Sequence, residues 1–482
     1  MVVLKKTFLA LCLSISGFSH ADDIFNSGKT PNFDIPEIGS GVGLIDQQKE
    51  RMIGEKVYRQ VQYQMPVLHD VWLEDQFMTI FSRILSQTKL GSPIGLVIIN
   101  DPQINAFAVP GGLFALNSGL ITSAKNLDEI TGVMAHEIAH VSQRHFSRSQ
   151  EAFKGQGLLV LAGLLVGAAI TSQVDGDVGG AVMMGTQAAL ADRQLSYSRN
   201  QEREADRIGM QLMYSAGYNP HSMADFFETM NRATARVSFM PDFWFTHPLT
   251  TQRMSEARLR ANQLPRTPLS NTQQDFDIIK WYSAVLTSQA SEVQLKALAQ
   301  NKNVGGLLAL AKYYLQKGEL DAAQAQLNIV SSIVPHHTLL ALIQADLMIE
   351  KKQIDQAKRI IESKHKIMPE NRALAFKLAD IYNLTNQPDQ ANRIVQKFIQ
   401  KNDRDIVAWQ IMQQAANIDK SNPLHTVNVL RYRAEVEYWK GQEESAIRSL
   451  LHAQRLAKDN NSMSAKITSR VKQMQMERQQ KI

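Results

Sequence analysis

Apolar positions along the chain change period several times, and each change predicts an element. Between residues 47 and 87, Val57, Val61, Met65, Leu68, Val71 and Trp72 recur at the spacing of one helix face. Pro66 lies inside this stretch. Proline has no amide hydrogen to give a helix, so a kink or a break into two helices is expected there. The period then shortens to that of strands over 94–99, 106–109 and 113–116, with Pro110-Gly111-Gly112 as the hairpin turn between the last two. Asn126, with Glu129 three residues on, has the form of a capping box and predicts the start of a further helix. Two strongly apolar runs, 157–170 and 178–190, are separated by Asp175-Gly176-Asp177. Each is shorter than the ~20 residues that span a bilayer. They predict a helical hairpin, either plain core or an exposed apolar flap facing a cleft, a partner or a membrane.

From about Leu307 the pattern repeats. Leu320, Ile354 and Pro388 are 34 residues apart, as are Asp321, Asp355 and Asp389, Ala323, Ala357 and Ala391, and the pair Pro335 and Pro369. That period, with small residues at fixed places, predicts tetratricopeptide repeats, helix pairs that stack on their neighbours. Gly441 and Ala446 repeat the offset of Gly318 and Ala323 and suggest one more unit, out of phase. Weaker helices between Asp275 and Lys302 read as a degenerate first repeat. The expected fold is mainly α with a small β-sheet: an α+β domain followed by an α-solenoid of tetratricopeptide repeats. A polar linker near Pro265 to Pro268 sets the expected domains at 22–266 and 267–482.

Residues 1–21 have the layout of a signal peptide. Lys5 and Lys6 precede a short apolar run over 8–18, and Ser19-His20-Ala21 is a small-x-small cleavage site. Export with cleavage after Ala21 is expected. Cys12 is the sole cysteine and lies in that leader, so the mature chain offers neither disulfides nor thiolate ligands. Of the 482 residues, 44% are apolar and 20% charged, ordinary for globular domains. The net charge of +6 comes without a basic stripe interleaved with aromatics, so no nucleic-acid partner is expected.

The strongest chemical signal is His136-Glu137-Ile138-Ala139-His140. On a helix, residues four apart share a face, so both imidazoles can reach one Zn²⁺, and Glu137 can take a proton from the attacking water. Ile130, Met134, Ile138 and Val141 form an apolar face that would bury the helix while it presents these groups. A catalytic zinc needs a third protein ligand. An extended motif would place histidine at 146, where this chain has Phe146; His145 is one position off and is expected to face elsewhere. Glu202 is the better candidate. Asp206, one turn on, can hold the free N–H of a ligand histidine, whereas Glu204 points to the opposite side and is expected to be solvated. Gly209 would let this helix approach closely. His247, in Thr246-His247-Pro248, and Arg253 are candidates for stabilising the oxyanion, and His247 could instead occupy the metal's open position.

These segments, together with Asn105-Ala106-Phe107-Ala108 and its Pro-Gly-Gly turn, resemble the CAAX-prenyl-protease/HtpX family of zinc endopeptidases, and the likeness covers nearly the whole chain. It implies a zincin-type metallopeptidase domain, one Zn²⁺ per chain held by His136, His140 and Glu202, and Glu137 as the base. An exported member with helical repeats resembles the branch that works in the periplasm on outer-membrane β-barrel proteins. The implied role is to degrade misfolded or stalled β-barrel proteins and to promote their assembly. The implied partners are unfolded or partly assembled outer-membrane proteins and, through the repeats, the β-barrel assembly machinery, with peripheral membrane contact. The alternative expectation is mainly a chaperone or assembly adaptor whose proteolysis is latent.

Overall fold

The computed structural model describes residues 47–146, 148, 199–234, 247–269 and 272–479, all within one compact unit, Ile35–Ile482. The expected signal peptide, the apolar 157–190 segment and Thr246 lie outside the described residues.

Pro66 divides the first helical stretch. Helix α1 (Gln47–Gln64) ends one residue before Met65-Pro66, the two-residue strand β1 (Val67–Leu68) follows, and α2 (Val71–Leu85) starts afresh. Asp70 caps α2 by accepting the Leu73 amide at 2.9 Å. Strands β2 (Gly95–Ile99), β3 (Ala106–Val109) and β4 (Leu113–Asn117) complete a sheet of order β1-β2-β4-β3. β2 and β4 are parallel, and β3 and β4 form the antiparallel hairpin, with Ala106 opposite Leu116 and Val109 opposite Leu113. Gly111 and Gly112 turn it at φ +85° and +79°. A Cβ at Gly111 would stand 2.4 Å from the Glu50 carbonyl oxygen, so α1 also requires glycine there.

The sheet is apolar on both faces because both are covered. Ile98, Ala106, Ala108, Phe114 and Leu116 join a core with α2 and with α4 (Leu127–Ser142). Their alternates, Val97, Ile99, Phe107, Val109, Leu113 and Ala115, join α1 in a second core. α4 follows the short α3 (Ser118–Ser123). Asn126 accepts the Glu129 amide at 3.0 Å, and the Glu129 carboxylate takes the amide of Lys125, not that of Asn126, at 2.8 Å. α4 packs between β3 on one side and α5 (Arg199–Ser215) and α6 (His221–Thr234) on the other. α7 (Thr251–Gln263) packs on α5 and α6.

Beyond α7, hairpins of helices follow: α8 (Gln273–Leu286), α9 (Glu292–Gln300), α10 (Val304–Lys317), α11 (Leu320–Ile333), α12 (Thr338–Glu350), α13 (Ile354–Ile367), α14 (Arg372–Leu384) and α15 (Pro388–Lys401). The array ends with α16 (Ile406–Ile418), α17 (His425–Trp439), α18 (Glu443–Leu456) and α19 (Asn461–Gln479). The 34-residue columns have clear structural meanings. Leu320, Ile354 and Pro388 each open a helix, and the aspartate after each sits in the first turn, where a negative charge favours the helix dipole. Ala323, Ala357, Ala391 and the out-of-phase Ala446 are fully buried, allowing paired helices to approach. Gly318 ends α10 at φ +76°, and Gly441 follows α17 at +75°. The architecture is the expected one, mainly helical with a small sheet.

Candidate metal centre

Three elements deliver the site. Buried α4 carries His136, Glu137 and His140, all 2–3% exposed. α5 lies beside it with Glu202 and Asp206 one turn apart and equally buried. The close approach needs Gly209, where a Cβ would stand 3.1 Å from the His136 backbone nitrogen and 3.2 Å from the Ala135 carbonyl carbon. The segment before α7 supplies buried His247, and the first turn of α7 supplies Arg253.

His136, His140, Glu202 and His247 each turn one donor atom to a common point, all within 4.8 Å of one another. His136 Nε2 and His140 Nε2 are 3.0 Å apart. His247 Nδ1 is 3.3 Å from His136 Nε2 and 3.1 Å from Glu202 Oε1. His140 Nε2 is 3.4 Å from the same oxygen. Donors about 2.0–2.1 Å from one shared metal stand roughly 3–4 Å from each other, so these separations allow all four to meet a single ion. Hydrogen bonding gives a poor account of the cluster, because facing ring nitrogens can share only one proton per pair. The residues therefore fit a divalent metal.

The surrounding groups hold the donors in place. Asp206 Oδ1 lies 3.0 Å from His136 Nδ1, the ring nitrogen turned away from the common point. Arg253 grips Asp206 with two bonds, Nε to Oδ2 at 2.8 Å and Nη2 to Oδ1 at 2.7 Å. Its Nη1 stands 2.7 Å from Glu202 Oε2, and its guanidinium carbon lies 5.4 Å from the centre of the Phe227 ring. Arg253 is thus engaged with the acidic residues of α5. His247 Nε2 lies 3.3 Å from Glu137 Oε1, so the ring bridges the donor cluster and the expected base.

The metal-free electrostatics follow from burial and pairing. Burial raises the Glu137 carboxyl, partly offset by His247, His136 and the Ala108 backbone amide. Burial works against ionised Glu202, but His247, Arg253 and His140 outweigh it and hold that carboxyl well below the usual range. Asp206 is also held down, Arg253 overcoming burial. Burial drives His140 well below its ordinary value. Burial would lower His136 too, but Asp206 and Glu202 outweigh it and raise the ring to about 9. A dianionic pair thus faces the histidines at neutral pH.

Glu204 departs from its expected setting, and His145 lies outside the donor cluster. His145 is fully buried and places Nδ1 2.9 Å from His140 Nδ1. Glu204, expected to be solvated, lies 3.1 Å from His145 Nε2 and pairs with Arg148 at 3.2 Å. The cause is the end of α4: Arg144 has φ +50°, turning the chain back so that position 145 leaves the helical phase. The local sequence signal is only a histidine five residues past His140, which helical spacing alone cannot interpret.

Residues 72–261 match the profile of Peptidase family M48. A beta-barrel assembly-enhancing protease of Yersinia pestis is 34% identical over 243 residues, 50% of this chain and 49% of that protein. The protein of the same name from Escherichia coli (strain K12) is 31% identical over 280 residues, 58% of this chain and 56% of that one. The mitochondrial metalloendopeptidase OMA1 of Schizosaccharomyces pombe is 29% identical over 159 residues, 33% of this chain and 44% of that one. The chain spans about half the length of the beta-barrel assembly-enhancing proteases it matches.

Proposed function

We propose that the chain is a zinc endopeptidase of the periplasm that acts on unfolded or stalled outer-membrane β-barrel proteins, and that His247 holds it closed at rest. The observation that supports this most directly is the cluster of four buried donors, all within 4.8 Å of one another. His136, His140 and Glu202 would hold Zn²⁺, which when bound polarises a scissile carbonyl and acidifies a water. Glu137 then accepts the proton and passes it to the leaving amine. His247 is the fourth donor, and a catalytic site needs that position open. With Nδ1 at the cluster and Nε2 at Glu137, His247 engages both the open position and the base. Displacing it would free both together, and once displaced the ring could serve the oxyanion. Arg253 acts through Asp206 and Glu202 by fixing their carboxylates.

The names of the bacterial relatives support the substrate class, and among the described residues no helix is long and apolar enough to cross a membrane. β3 lies at the edge of the sheet beside α4, where an extended chain could pair with backbone groups and be held with little regard for sequence. The helical repeats would dock the β-barrel assembly machinery. Closure by His247 also favours a second reading, in which assembly is promoted through the repeats while proteolysis stays latent. Glu137→Gln separates the two. The purified full chain should bind one equivalent of Zn²⁺ and cleave an unfolded β-barrel protein, and the variant should bind zinc but lose cleavage by at least ~10²-fold. Cleavage by the variant at the parent rate would overturn the assignment of the base. Unimpaired barrel assembly by the variant in cells would establish the non-proteolytic role as separate.

A further inference from the structure

His145 and Glu204 lie outside the donor cluster, yet both are directed at one of its members. The three groups form a line: Glu204 Oε2 is 3.1 Å from His145 Nε2, and His145 Nδ1 is 2.9 Å from His140 Nδ1. The His145 ring is fully buried and stands edge-on to His140, with ring centroids 4.8 Å apart. Gln201 donates its side-chain amide to the His145 carbonyl at 3.1 Å, which pins the turn to α5.

We infer that Glu204 and His145 are positioning residues that fix the tautomer and ring orientation of His140 as a metal ligand. The inference rests on the reading above, in which His140 Nε2 is a ligand. A neutral imidazole that offers Nε2 to a metal carries its hydrogen on Nδ1. That hydrogen faces His145 Nδ1, which must then present a lone pair. His145 therefore carries its own hydrogen on Nε2, where Glu204 Oε2 accepts it. A carboxylate at one end sets the direction of every hydrogen bond in the chain, and the same device recurs across the site, where Asp206 stands behind His136. Each histidine of the motif is thus backed by a carboxylate of α5, directly for His136 and through a second imidazole for His140. Glu204 and Asp206 reach these two backing positions because α5 lies along α4 and the chain reverses at Arg144.

The test is zinc affinity of the full-length protein, read by competition with a chromophoric chelator. His145→Leu removes the acceptor facing His140 and should weaken zinc binding by ~10 to 100-fold, the range for such supporting groups. His145→Gln keeps an acceptor oxygen and should recover most of that loss. A purely packing role would instead leave Leu and Gln equally impaired, or favour Leu. Glu204→Leu should weaken binding less than His145→Leu, because His145 retains its lone pair but loses its orientation. Nitrogen-15 labelling of the histidines gives a second readout: in the zinc-loaded parent, His145 should show its hydrogen on Nε2. His140→Ala serves as the control for the underlying reading. If His140→Ala loses zinc while His145→Leu binds like the parent, or if His145 carries its hydrogen on Nδ1, the inference fails. If His140→Ala keeps zinc at parent affinity, the ligand assignment itself fails.

Discussion

At the scale of single residues, the donors are separated from their supports by which ring nitrogen or carboxylate oxygen faces inward. The motif histidines and Glu137 are legible in the sequence because four-residue spacing on a helix leaves little freedom. Glu202 and Asp206 are legible for the same reason once their helix is placed against the first. Arg253 is harder to read, since a lone arginine gives no hint that it will span two buried carboxylates. His145 is harder still, because its place depends on a left-handed residue at 144 that no spacing rule announces. Asp206→Asn should lower zinc affinity by ~10 to 100-fold, since the amide holds His136 less firmly and leaves Arg253 short of one charge. Metal titration of the variant checks this, and parent affinity would confine Asp206 to pairing with Arg253. His247→Ala should keep three zinc ligands and raise basal cleavage and self-cleavage by about tenfold or more, because a mostly closed population suppresses activity by its closed fraction. A fall in turnover with zinc retained would give His247 the oxyanion role instead.

At the scale of elements, the site depends on how closely α5 approaches α4. Gly132 and Gly209 sit at this junction and at the contact with α6. A Cβ on Gly132 would lie 3.0 Å from Met223 Cβ, and one on Gly209 would lie 3.0 Å from Met223 Cε. The methionine end is flexible and can move, but the α4 backbone beside Gly209 cannot. Gly209→Val should therefore displace α5 and destabilise the fold by about 1–3 kcal/mol, typical of overpacking. It should also weaken zinc binding, because Glu202 and Asp206 move with the helix. Denaturant melts with and without chelator separate the two effects, and a zinc affinity unchanged despite lost stability would show that the ligands tolerate the shift. The strands, the break at Pro66 and the repeat columns were readable as periods of 2, a missing amide and 34-residue spacing. What periodicity could not supply is the partner of each face. The sheet strands read simply as apolar, and only the packing shows that alternate residues enter two different cores.

At the scale of the whole molecule, the helical array α8–α19 packs against the elements that precede it at both ends. The first core runs from α2 and α4 into α16, and the second joins α1 to α17, α18 and α19. Arg59 of α1 pairs with Glu443 at 2.8 Å, and Arg404 pairs with Glu55 at 3.1 Å. The central link is Arg372 on α14, which reaches Asp405 at 2.6 Å and, across on α2, Glu74 at 2.9 Å and Asp75 at 3.3 Å. Burial, opposed by Arg372, raises the Glu74 carboxyl from 4.5 to about 7, and in the same way raises Asp75 from 3.8 to about 6. A carboxyl raised on folding holds its proton longer in the folded chain. Its contribution to stability is complete below the unfolded value of about 4.5 and is lost as pH climbs to about 7. Neighbouring His69 acts in the opposite direction. Burial lowers it to about 4, so its contribution is present above 6.5 and lost on acidification towards 4. The wild-type profile therefore mixes both slopes, and the difference between wild type and Glu74→Gln isolates the carboxyl. With glutamine in place, no proton is held or released at that position. The melting temperature of Glu74→Gln relative to wild type should rise from pH 5 to about pH 7 and level off towards pH 8. A constant difference across that range would mean that Glu74 is ionised throughout, and that Arg372 fastens the helical array to α2 without regard to pH.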